Sequence, residues 1–124
     1  MLFLRGHVAN PGLKHFTVRM RSFPEVFHRA TGERLISGTL NVKVDRPVTI
    51  REHFRIRGSE IDEPQQDLLF EICRVNSIWA YRIRPLDLKT GGGGWGDDVL
   101  EISSSQSLPN SPGTQLDIAF FREE

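Results

Sequence analysis

Residues 2–9, LFLRGHVA, alternate loosely between apolar and polar positions and run into NPG, a turn signature. HFTVRM then puts Phe16, Val18 and Met20 on one side, so the pattern predicts two strands around a turn. In SFPEVFHRATG the period changes. Phe23, Val26, Phe27 and Ala30 are helix-spaced, Ser22 is placed to cap, Pro24 and Glu25 suit a first turn and Gly32 can end the helix, which predicts one short helix over 24–31. ERLIS leads to GTLNVKVD, residues 38–45, with Leu40, Val42 and Val44 on one face and Asn41, Lys43 and Asp45 on the other. Pro47 follows this strand. VTIREHFRIRG fits either a strand or an irregular connection, and SEIDEPQQ reads as a loop or hairpin tip.

DLLFEICRVN and SIWAYRIRPLDL predict two more strands, the second carrying Trp79, Tyr81 and Ile83 on one face. VLEISSS and TQLDIAFF complete the set, with LPNSPG as the turn between them. KTGGGGWGDD is the one low-complexity segment, and its glycine run predicts a mobile loop. Seven or so short strands with one helix predict a mostly-β fold, a single antiparallel barrel over 1–124. A parallel α/β sheet would alternate strands with helices.

Composition narrows the function classes. Lysine and arginine number 16 and aspartate and glutamate 16, so the formal charge is zero and no broad nucleic-acid footprint is expected. Arg46, Arg51, Arg55 and Arg57 cluster, which reads as a solvated face. Cys73 is alone, which precludes an intramolecular disulfide and suggests a cytoplasmic location. Arg5 interrupts MLFL too early for a signal peptide, and no run approaches the roughly 18 apolar residues of a membrane span. His7, His15, His28 and His53 lack paired metal spacing, and neither a GxSxG elbow nor a GxxxxGK[ST] loop occurs. GGGGWG reads as a flexible linker before it reads as a phosphate cradle.

Thr39 and Asn41 share the polar side of the GTLNVKVD strand, where a hydroxyl and an amide could hold an oxygen-loving ion or a phosphate. Taken alone, the stretch reads as a turn-to-strand entrance before it reads as an ion site. Its order with the preceding segments adds to this. A first strand, a turn with Gly12 and Lys14, Phe16, the FPEVF helix and then GTLNVKVD together resemble the archaeal CTP-dependent riboflavin kinases, with VLEIS a weaker late anchor.

The resemblance implies a cradle-loop barrel that transfers the γ-phosphoryl group of CTP to riboflavin, giving FMN. By the same carry-over, Thr39 and Asn41 hold Mg²⁺, Gly12 and Lys14 lie in the nucleotide loop, and Glu101 contacts the flavin. The implied partners are a nucleotide and a flavin, with neither nucleic acid nor membrane. The chain also departs from the family pattern. NPGLKH offers one glycine where the family has several, Gly94 stands near the place of a family threonine, and SSSQSLPN carries no positive charge where the family is basic. Phosphoryl transfer depends on placing and neutralising charge, so weak turnover is expected. Two alternatives stand beside the kinase: a non-catalytic flavin- or nucleotide-binding module, and an interaction barrel with no small ligand.

Overall fold

A computed structural model describes residues 1–9, 15–86 and 97–122. Its strands are β1 (Leu2–Val8), β2 (Leu40–Val44), β3 (Phe54–Ile56), β4 (Leu68–Val75), β5 (Ile78–Pro85), β6 (Val99–Ser103) and β7 (Gln115–Phe120). They pair in the order β3-β4-β5-β6-β2-β1-β7, and β7 returns to β4, so six antiparallel strands close a barrel. Closure leaves those strands no free edge, and β3 extends β4 outside the ring. The interior is filled by alternate residues of each strand, among them Leu4, Val42, Val75, Leu100, Ile118 and Phe120. Cys73 is one of them. Burial, and then the nearby Glu71 carboxylate, push its thiol up to about 12, so it stays an uncharged packing group.

The opposite face of β4 and β5 carries a second apolar layer. Phe70, Tyr81 and Ile83 project there and are covered by β3 and two helices, α1 (His15–Ser22) and α2 (Pro24–Thr31). Phe54 stacks on Phe70 at 4.9 Å between ring centres, and Phe27 meets the same ring edge-on at 6.2 Å. Gly32, at φ 75°, ends α2 and donates its N–H to the His28 carbonyl at 2.7 Å, as the sequence predicts. Ser22 does not cap this helix. It closes α1, and Phe23 takes the position before α2 without a side-chain cap.

The segment HFTVRM is helix α1, where alternation predicts a strand. Phe16 and Met20 are four apart and satisfy both periods, and both are buried. Val18 decides between them: it is 59% exposed, as a helix requires and a half-buried strand forbids. The barrel expectation therefore holds, with a second short helix in place of one strand. A 3₁₀ turn, Gly58–Ile61, leads into SEIDEPQQ, and VTIREHFRIRG supplies the short β3. The NPG turn and most of the KTGGGGWGDD loop lie outside the described residues. No described helix is long and apolar enough to cross a membrane.

The outer edge of β4 is shared. Residues 68–70 pair with β3 and residues 73–75 with β7. Between the two ladders the Ile72 N–H donates to His53 Nδ1 at 3.0 Å, and the His53 backbone N–H donates to the Phe70 carbonyl at 2.8 Å. An imidazole thus satisfies a backbone donor that no strand reaches. The helical assignment of α1 has a direct mutational signature. Phe16→Ala should lower stability by about 3–5 kcal/mol, whereas Val18→Ser should leave the urea midpoint within about 0.5 kcal/mol of the parent. Equal sensitivity at the two positions would indicate a strand.

Candidate functional site

Gly38 sets the approach to β2. Its φ of +110° is poorly accessible to other residues, and a Cβ placed on it would lie 3.0 Å from Thr17 Oγ1 of α1. Its N–H points to Met20 Sδ at 3.2 Å, which fastens the 36–39 segment beneath the helix. From there β2 alternates as the sequence predicts: Leu40, Val42 and Val44 face the barrel interior, and Asn41 projects to the other side. At Asn41 that side is covered. Asn41 is only 7% exposed, and together with Thr39 it lines a cavity of about 410 Å³.

The cavity lies between α1, which contributes Thr17 and Arg21, and the end of β6, which contributes Ser103 and Ser104. Its walls are tied together. The Ile36 N–H donates to the Ser104 carbonyl at 2.9 Å, and Ser104 Oγ donates to the Trp79 carbonyl at 2.7 Å. Glu33 holds both sides at once: one carboxylate oxygen accepts from Ser105 Oγ at 2.8 Å and the other from the Tyr81 hydroxyl. Burial first, and then this bond to Glu33, raise the Tyr81 phenol above its usual range.

Electrostatically the cavity is dominated by neutral oxygens. Asn41 Oδ1 is buried and has no hydrogen-bond donor among the described residues. Directly across the β2–β6 ladder stands Glu101, itself 8% exposed. Burial pushes its carboxyl up to about 7 against the opposing pull of Arg84, so near neutral pH it is shared between a form that donates and one that only accepts. An electron-rich oxygen without a donor suits a hard cation, and Thr39 with Asn41 fits Mg²⁺ in type. Two neutral ligands cannot hold the ion alone. Among the described residues no three His, Cys, Asp or Glu side chains converge on a metal site, so Mg²⁺ would need phosphate oxygens beside it.

The two sequence-predicted metal ligands thus share a cavity, and Glu101 faces one of them across the ladder. Gly12 and Lys14 lie outside the described residues. Thr17, Arg21 and Ser103 to Ser105 carry no signal in the sequence pattern, since α1 reads as a strand and the serines as a plain polar run. Helical spacing of Thr17 and Arg21, four apart, is the one clue that pairs them. No protein-family model and no curated protein matches this chain.

Two predictions follow the electrostatics and the backbone. A carboxyl raised in the folded state keeps its proton where the unfolded chain has released it, so its burial lowers stability progressively as pH rises from 4.5 to about 7. The span corresponds to about 3 kcal/mol at roughly 1.4 kcal/mol per pH unit. Glu101→Gln should flatten that loss, which chemical unfolding at pH 4.5, 6 and 8 would measure; an unchanged pH profile would contradict the buried state. Gly38→Ala should cost about 1–3 kcal/mol through its positive φ, and should displace α1 from the cavity.

Proposed function

We propose that the protein binds a nucleoside triphosphate with Mg²⁺ at the Thr39–Asn41 cavity and a flavin near Glu101, and transfers the terminal phosphoryl group as the CTP-dependent riboflavin kinases do, giving FMN. Support comes chiefly from one observation: Thr39 and Asn41 open onto the same cavity, and the Asn41 amide oxygen is buried there without a donor among the described residues. A buried acceptor left unpaired costs about 1–3 kcal/mol, which a cation beside it would relieve.

Each residue then has a chemical task. Asn41 Oδ1 and the Thr39 hydroxyl would hold the ion beside the phosphate end of the nucleotide. Mg²⁺, when bound, neutralises charge on the transferring phosphoryl group. Arg21, on the cavity wall, supplies a cation of the chain's own, opposite serines that carry none. Thr17, Ser103 and Ser104 offer hydroxyls to phosphate oxygens or ordered water. Glu101 can donate to a flavin carbonyl when protonated and accept from a hydroxyl when ionised.

The serine-rich wall favours the binding-module alternative to the extent that transfer needs more positive charge than Arg21 provides. Turnover is therefore expected to be slow. The test incubates the protein with riboflavin, CTP and Mg²⁺, follows FMN by chromatography, and measures CTP binding by calorimetry with and without Mg²⁺. Slow FMN formation supports the kinase. Mg²⁺-dependent CTP binding without FMN supports the binding module, and absence of both overturns the proposal. Asn41→Ala should abolish Mg²⁺-dependent binding while shifting the unfolding free energy by only about 1 kcal/mol.

A further inference from the structure

A second group of charges lies inside the barrel, beyond the C-terminal end of β2 and apart from the Thr39 cavity. Glu71 and Arg82 are direct partners across the β4–β5 ladder, in phase with the interior residues Cys73 and Ala80. They are 0% and 1% exposed. Arg84 and Arg122 join them, with side chains 14% and 10% exposed. Asp97 Oδ1 lies 3.3 Å from Arg84 Nη2 and 3.9 Å from Arg82 Nη2, so one oxygen draws two guanidiniums together. Glu71 Oε2 lies 3.4 Å from Arg122 Nε.

Among the described residues and within 4 Å, three guanidiniums face two carboxylates, which leaves one positive charge in excess at contact distance. The donors are also under-used. Arg82 Nη1 donates to the Val48 carbonyl at 2.6 Å and Arg122 Nη1 to the Thr49 carbonyl at 3.0 Å. Glu71 Oε1 is taken by the Arg51 N–H at 2.9 Å. Arg82 Nη2, Arg84 Nε, and Nε and Nη2 of Arg122 are buried with no hydrogen-bond acceptor among the described residues. Burial first, and then the Arg84 charge, hold the Arg82 guanidinium down to about 10.

Water could accept from these nitrogens but would not offset the charge. A small oxyanion does both, because its oxygens match the paired N–H groups of guanidinium. We infer that Arg82, Arg84 and Arg122 form a binding site for a small oxyanion, a phosphate, sulfate or carboxylate, at this end of the barrel. Such an ion would lower the cost of the like-charged cluster and lock β4 and β5 to the residues that follow β2 and β7. The proposal is independent of the kinase reading.

Thermal unfolding of the full chain tests it, with phosphate, sulfate and acetate each titrated against chloride at constant ionic strength. An anion that binds the folded state alone should raise Tm saturably, by about 3–8 °C well above its Kd. A response to phosphate or sulfate assigns a tetrahedral oxyanion, and a response to acetate alone assigns a carboxylate. Arg84→Gln, at the least buried of the three arginines, should lose the response, and Asn41→Ala should keep it. If Arg84→Gln does not fold, Arg122→Gln takes its place, and calorimetry of the same anions on the parent protein gives the stoichiometry, expected to be one. No rise above chloride together with no calorimetric binding overturns the inference. An undiminished response in the arginine variants, or its loss in Asn41→Ala, does so too, because the anion would then belong elsewhere.

Discussion

β4 is the strand on which the rest of the fold depends, because its two edges meet three partners. One edge pairs with β5 along its whole length. The other is divided between β3, which carries the outer aromatic layer, and β7, whose three-residue ladder is the rung set that closes the ring. Without the β7 ladder the six strands would form an open sheet with two exposed edges. Without β3 the ring could still close, but Phe54 would leave the stack on Phe70 that helps seat the helices. His53 bridges the interval where neither strand reaches, so barrel and outer layer meet at one imidazole.

This division separates two chemical environments. The outer layer places α1 over β2 and β6, and the gap between helix and sheet is the cavity that Thr39, Asn41 and Arg21 line. Neutral hydroxyls and amides predominate there. The barrel interior, by contrast, holds guanidiniums and carboxylates around Arg82, at a depth where charge is far less screened. The two are joined indirectly through Glu101, which faces Asn41 on the outer side and feels the field of Arg84 from within.

Most of the barrel was legible because alternation is a strong signal where one strand face is wholly apolar. GTLNVKVD behaved as its period requires, and α2 was bounded correctly by Pro24 and Gly32. α1 was not legible, since the Phe16 and Met20 spacing fits both periods and only the exposure of Val18 separates them. The turn between β4 and β5 carried no glycine, yet Asn76 and Ser77 both adopt positive φ, the geometry a two-residue hairpin needs. Glu71 and Arg82 sat in phase with Cys73 and Ala80, a signal that was present but overshadowed by the expectation that charges lie outside. The bonds of Glu33 to Tyr81 and Ser105 span 48 and 72 residues, and no local pattern encodes such contacts.

The pairing of Glu71 with Arg82 also constrains the history open to this sequence. Glu71 faces Arg82 across the ladder and Arg122 at 3.4 Å, so losing its carboxylate alone would leave buried guanidiniums uncompensated and would cost about 3–5 kcal/mol. That is a large part of the roughly 5–15 kcal/mol that keeps a domain folded. Descendants that lose the acid at 71 alone would mostly fall below the threshold for folding. Loss of the acid at 71 is thus expected to travel with loss of a guanidinium at 82 or 122 across related chains, as linked traits and not as independent ones.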